Sequence, residues 1–187
     1  MTIRFGEDAV DRIVRYVEEM FEDEVAPTSS DQLSILDLGT GNGHILFSLL
    51  EAEIDPPLEA QLMKGVDYSQ ASIDLSRSIA ETREDERCKK VQFEISDLLD
   101  AEQVDQLRQS SSVSREGWDL VCDKGTYDAI ALSSQPINGS LPVELYARAV
   151  RALTRPGGTF LITSCNFTEA ELVAKFASET GGELKPI

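Results

Sequence analysis

The chain has 187 residues, 34 of them acidic and 17 basic, for a formal net charge of −17, and 41% of its residues are hydrophobic. That length suits one domain with a sheet covered on both faces, and that hydrophobic content excludes wholesale disorder. So much acid repels phosphate backbones, which disfavours DNA and RNA as direct substrates; a basic protein partner would be attracted, although composition alone asks no more than solubility of these charges.

Residues 8–25 place Val10, Ile13, Val14, Val17, Phe21 and Val25 on one stripe, the pattern of an amphipathic helix. Pro27 and the cluster at 29–31 end it. Residues 33–38 read as a buried strand, 39–43 as a glycine loop and 45–53 as a helix. After a turn at Asp55-Pro56-Pro57, residues 62–67 form a second strand. Residues 69–83 form a helix with Ile73, Leu75 and Ile79 inward and with Ser69 and Ser72 as capping residues. A third strand is expected at 91–95, a helix fragment and a Ser-rich surface loop within 100–117, and a fourth strand at 119–123. A helix at 141–153 closes on a turn at 155–158, followed by a fifth strand at 159–164 and a last helix at 169–178. Strand and helix alternate throughout, which argues for an α/β fold with a mostly parallel sheet and right-handed crossovers. In such sheets ligands bind beyond the carboxyl ends of the strands, so the functional residues should follow each strand.

Cysteine and histidine set limits of their own. Cys88, Cys122 and Cys165 are odd in number and show no CxxC spacing, so neither a disulfide framework nor a thiolate metal site is expected. Cys122 and Cys165 fall at the ends of apolar strands and read as buried thiols. His44 is the only histidine, which excludes a His-rich metal site; it reads as an exposed helix-start residue rather than a general base. No apolar run approaches the length of a membrane span, and the N-terminus is neither a signal nor a transit peptide, so a soluble, cytoplasmic chain is expected.

Four motifs follow strands. The first is Asp37-Leu38-Gly39-Thr40-Gly41-Asn42-Gly43. Its glycines let the chain turn sharply and clear side chains from a ligand lying on the backbone. The spacing is not the dinucleotide GxGxxG, and a carboxylate just before the loop suits a cationic ligand better than a pyrophosphate. S-adenosylmethionine carries both an ammonium and a sulfonium. The second motif is Gly65-Val66-Asp67-Tyr68-Ser69, where Asp67 is placed to accept from ribose hydroxyls or, alternatively, to cap the following helix. The third is Ser96-Asp97-Leu98, where Asp97 is placed for an adenine amino group and Leu98 for the ring, with an Asx turn equally open for Asp97. The fourth is Trp118–Asp128, containing Asp123-Lys124-Gly125-Thr126-Tyr127-Asp128.

These motifs, in order and spacing, resemble the seven-β-strand, Rossmann-like S-adenosylmethionine-dependent methyltransferases. The run 123–130, with Phe5-Gly6-Glu7 and Ser164-Cys165-Asn166-Phe167-Thr168, resembles the eukaryotic translation elongation factor 1-alpha lysine methyltransferase family over nearly the whole chain. The resemblance implies a protein-lysine N-methyltransferase that uses S-adenosylmethionine and releases S-adenosylhomocysteine. It implies that Asp37, Gly39, Thr40, Gly41, Asn42 and Gly43 hold the methionine part, Asp67 and Tyr68 the ribose, and Ser96, Asp97 and Leu98 the adenine. Asp123 and Lys124 would sit beside the transferred methyl, Asp123 orienting the incoming ammonium. Phe5 and Glu7 would close the pocket, and Tyr127, Asn166 and Phe167 would wall the lysine channel, although lone aromatics such as Tyr127 and Phe167 are more often core.

One domain over 1–187 is expected, with 1–30 as N-terminal helix and pocket-closing segment and 31–187 as sheet core. The seven-strand plan ends in an antiparallel hairpin, which is expected to be truncated because so little chain follows the last helix. No metal is expected, and the chain should act as a monomer on a basic protein, elongation factor 1-alpha. A methyltransferase for a small molecule or another protein, a non-catalytic cofactor-binding scaffold, and a nicotinamide dehydrogenase are the competing readings. The last lacks a catalytic His or a Tyr-x-x-x-Lys arrangement.

Overall fold

The computed structural model describes residues 9–22, 32–52, 54–55, 57–111 and 116–180, with side chains as far as residue 176. Five strands, β1 (Ile35–Leu38), β2 (Met63–Asp67), β3 (Gln92–Ile95), β4 (Trp118–Lys124) and β5 (Thr154–Thr163), form one sheet in the order β3-β2-β1-β4-β5. Every neighbouring pair is parallel. Seven α-helices are described: α1 (Ala9–Glu22), α2 (His44–Glu51), α3 (Gln70–Thr82), α4 (Ala101–Gln109), α5 (Thr126–Ile130), α6 (Pro142–Leu153) and α7 (Glu169–Thr180).

Alternation along the strands sorts the core into two layers. Ile35, Met63, Phe93, Leu120 and Cys122 pack with residues of α1, α2 and α3, including Val17, Phe47 and Ile73. Leu36, Leu38, Val66 and Val121 pack on the opposite face with Val104 and Leu107 of α4, Tyr146 and Val150 of α6, and Phe176 of α7. Both faces of β1 and β4 are therefore covered, as a parallel sheet requires. The chain starts its sheet at β1, runs outward through β2 and β3, then returns to β1's other side for β4. The crevice between the carboxyl ends of β1 and β4 is the topological switch point, where such sheets bind ligands.

The amino ends of β1, β4 and β5 are tied together separately. Asp119 of β4 is buried; its carboxylate accepts from Ser34 N at 2.9 Å and Ser34 Oγ at 2.5 Å, and pairs with Arg155 of β5.

Several expectations are corrected. Leu75 is 50% exposed, because the inward stripe of α3 runs through Ile73, Ser76 and Ala80. Cys165 is exposed rather than buried, lying past the end of β5 where the chain has left the sheet. The stretch at 155–158 is not a turn before β5 but an irregularity within it. Trp118 pairs with Thr154 and Leu120 with Thr159, and a Cβ on Gly158 would lie 2.9 Å from the Trp118 and Asp119 carbonyl oxygens. The helix α5 was not foreseen. No described helix is long and apolar enough to cross a membrane.

Candidate active site

The loop after β1 turns on three left-handed glycines, Gly39 (φ 68°), Gly41 (φ 58°) and Gly43 (φ 79°). The first and last are also spatially required. A Cβ on Gly39 would overlap the Thr126 hydroxyl, and one on Gly43 would lie 2.6 Å from the Phe47 ring. Over Gly41, by contrast, nothing lies within 4 Å, so the loop presents bare backbone to open space. The loop is braced on the β2 side: Thr40 N donates to Val66 O (2.9 Å), Gly41 N to Asp67 Oδ2 (3.1 Å), and Ser76 Oγ of α3 to Gly41 O (2.9 Å).

Asp37 lies beneath this loop on the sheet face that carries α1 to α3. Its carboxylate is buried and accepts from Thr40 Oγ1 at 2.7 Å. Burial pushes its carboxyl up from 3.8 to about 7, with Asp123 and Asp67 adding to the rise and Thr40 and Lys124 opposing it. A buried acid held this way is set to gain from a cation. Asp37, Gly39, Thr40, Gly41, Asn42, His44, Ile45 and Lys124 line a cleft of about 90 Å³. Such a volume holds about three waters' worth of liquid, enough for the amino-acid end of a ligand and not for a nucleoside.

The nucleoside expectation concerns the adjoining strand ends. Asp67 is buried, yet each of its oxygens takes only one amide, Gly41 N on Oδ2 and Ser69 N on Oδ1 (2.9 Å). Ser69, not Asp67, is the N-cap of α3. Tyr68 stands 82% exposed beside it. Ser96 N donates to Asp67 O (3.0 Å), which sets the β3 loop next to β2, and the buried Ser96 hydroxyl has no partner among the described residues. Asp97 is exposed and closes an Asx turn on Leu99 N through Oδ1 (2.9 Å), with Oδ2 in no hydrogen bond among the described residues; Leu98 is buried in the second core layer. These groups fit a nucleoside with an ammonium at one end: a desolvated acid, an open glycine backbone, an orphaned hydroxyl and half-used carboxylates.

The corner after β4 is arranged otherwise than its sequence implied. Asp123 alternates with Cys122 and so points to the α6 face, away from Asp37. It is fully buried, and three donors converge on it: Thr126 N (2.8 Å), Tyr127 N (3.0 Å) and the Tyr146 hydroxyl (2.6 Å). Burial still pushes its carboxyl up to about 6. A carboxylate so enclosed cannot also hold an incoming ammonium, so Asp123 organises the start of α5. Lys124, the next residue, is the one this corner contributes to the cleft. Tyr127 is likewise corrected. It is 1% exposed and stacks among Tyr146, Phe167 and Phe176, so it is core and walls no channel.

Phe167 is partly buried against that same layer, and Asn166 is exposed, its amide donating to Ser164 Oγ (3.2 Å). Phe5 and Glu7 lie outside the described residues. His44 starts α2 and is exposed, as its sequence context implied. Among the described residues no cluster suits a metal.

Sequence reasoning missed Tyr146, Asp128 and Gly65. Tyr146 sits in an apolar helical stripe and reads as plain core. The Asp128 carboxylate accepts from Ser164 Oγ (2.5 Å) and Cys165 N (2.8 Å), tying the loop after β5 to α5. Gly65 makes room for the Thr40 hydroxyl, 2.6 Å from where its Cβ would be. An unusual glycine inside a buried strand was the available signal.

Residues 29–182 match the family described as methyltransferase domain. The chain is 42% identical over 174 residues to protein-lysine N-methyltransferase efm4 of Schizosaccharomyces pombe, covering 92% of this chain and 68% of that protein. It is 33% identical over 174 residues to EEF1A lysine methyltransferase 2 of Danio rerio, covering 93% of this chain and 63% of that protein. It thus spans about two thirds of the length of these curated relatives. Among solved structures, an S-adenosylmethionine-dependent methyltransferase from Clostridium acetobutylicum superimposes with a TM-score of 0.55 at 16% identity, over 84% of this chain and 51% of that one; this likeness is one of fold.

Proposed function

Since the chain belongs to the methyltransferase domain family, and within it groups with protein-lysine N-methyltransferases, we propose that it moves a methyl group from S-adenosylmethionine to a lysine of translation elongation factor 1-alpha. The observation that carries the cofactor half is the Asp37 carboxylate, buried beneath an open glycine loop at the switch point. The acceptor half rests on the likeness to the fission yeast and zebrafish proteins, with the net charge of −17 suiting a basic partner.

The cofactor supplies an electrophilic methyl on a sulfonium, and the protein supplies position and electrostatics. Asp37 neutralises the ammonium end, with the glycine loop as its seat. Lys124 shares that cleft. A second ammonium beside the transferring methyl would repel both the sulfonium and the incoming lysine, so Lys124 serves better by holding the cofactor's carboxylate. Asp67 takes the ribose hydroxyls on its unused lone pairs, Tyr68 covers the sugar or ring, and Ser96 Oγ and Asp97 Oδ2 face the base. The acceptor lysine must be neutral to attack, which from a pKa near 10.4 costs about 4.6 kcal/mol at pH 7. With Asp123 fully enclosed, no carboxylate of the β4 corner raises that cost further.

The test is incubation of the protein with labelled cofactor and purified elongation factor 1-alpha, followed by mass spectrometry of the acceptor. A methylated lysine is expected. Calorimetric binding of S-adenosylhomocysteine without any labelled acceptor would overturn the enzymatic half and leave a cofactor-binding scaffold. Binding of NAD alone would overturn both.

A further inference from the structure

We propose that Thr126 is a positioning residue for methyl transfer: its hydroxyl bolts the glycine loop to the β4 corner across the switch point. The inference rests on the methyltransferase reading of the same site. Leu38 ends β1 and pairs with Asp123 of β4. That pair is the last of the β1–β4 ladder, and on the other side of β4 the Gly125 amide donates to Thr163 O (3.1 Å). At this end of the ladder the Leu38 carbonyl accepts from the Thr126 side chain, Oγ1 to O at 2.7 Å.

Thr126 is fixed from both sides. Its amide donates to the enclosed Asp123 carboxylate, and its side chain fills the space that a Cβ on Gly39 would need, 3.0 Å from both Thr126 Cβ and Cγ2. The glycine loop's other bonds to the rest of the chain run to β1, β2, α2 and α3, through Asp37, Val66, Asp67, Phe47 and Ser76. Among the described residues, Thr126 is where the loop that seats the donor meets the corner that bears Lys124. An in-line displacement needs donor and acceptor at a fixed separation, and a misplacement of about 1 Å costs on the order of a hundredfold in rate. A bond that sets this spacing acts on turnover more than on ligand affinity.

Three variants test it: Thr126→Val, which keeps the shape and removes the donor, Thr126→Ala, and Thr126→Ser, which keeps the donor. Thr126→Val should lower kcat roughly 10- to 100-fold while the calorimetric Kd for S-adenosylhomocysteine moves less than about fivefold. Thr126→Ser should restore most of kcat. Hydrogen exchange of the amides at 39–43 should quicken in Thr126→Val and not in Thr126→Ser. A wild-type protein that fails to bind S-adenosylhomocysteine overturns the methyltransferase reading and this inference together. A wild-type protein that binds and methylates, beside a folded Thr126→Val that keeps its kcat or loses only affinity, overturns this inference alone. Should Thr126→Val not fold, the Ser and Ala variants decide: Ser as fast as wild type with Ala slowed supports the bolt, and Ser as slow as Ala overturns it.

Discussion

At the carboxyl end of β1, the Asp37 carboxylate receives one hydrogen bond, from Thr40; at the carboxyl end of β4, Asp123 receives three, from Thr126, Tyr127 and Tyr146. Both acids lie near the carboxyl end of a central strand, both are buried, and burial raises both carboxyls. The first region leaves its polar groups short of partners and opens bare backbone over Gly41. The second satisfies its groups internally and stiffens a turn. An acid at the end of a parallel strand is thus ambiguous in sequence, and its count of donors separates a ligand seat from a structural bracket.

Replacing Asp37 should break this contrast most severely. Asp37→Asn removes the charge that meets the ligand's ammonium, and S-adenosylhomocysteine affinity by calorimetry should fall on the order of a hundredfold. Stability should move the other way. The carboxyl titrates at 3.8 when free and at about 7 when folded, so the unfolded chain loses its proton first as pH rises. Wild-type stability from this group therefore falls between about pH 4 and pH 7 and is level above, by at most about 4 kcal/mol. Urea titrations across that window should show a shallower decline for Asp37→Asn.

Tyr146→Phe should hurt stability first. It strips one of three donors from a buried carboxylate, costing about 1.5–3 kcal/mol at pH 8 in urea unfolding. The loss should shrink at pH 5, below the folded value of about 6, where the acid is protonated and the bond to it weaker. A variant equally destabilised at both pH values would show that the hydroxyl matters for packing alone.

Asp97→Asn should do least. An amide oxygen still closes the Asx turn on Leu99 N, so stability should stay within about 0.5 kcal/mol, and ligand affinity should weaken less than tenfold with one acceptor lost. A loss as large as that at Asp37 would make the base, rather than the ammonium, the main anchor.

Alternation of apolar runs with helical stripes made the parallel sheet legible, and the glycine spacing located the switch point. What escaped was local chemistry without periodicity. Helix α5 has five residues and begins at a left-handed glycine, too short for any stripe. The direction of Asp123 depended on strand parity, which slips with a one-residue error in the strand's start. The Thr126 bond joins residues 88 apart in sequence, a distance across which no local pattern reaches.

The clamp of Ser34, Asp119 and Arg155 lies at the opposite end of the sheet from the ligand loops. It holds β1, β4 and β5 together without help from either loop. Damage at the crevice therefore need not unmake the scaffold, and a chain ruined there would keep its sheet.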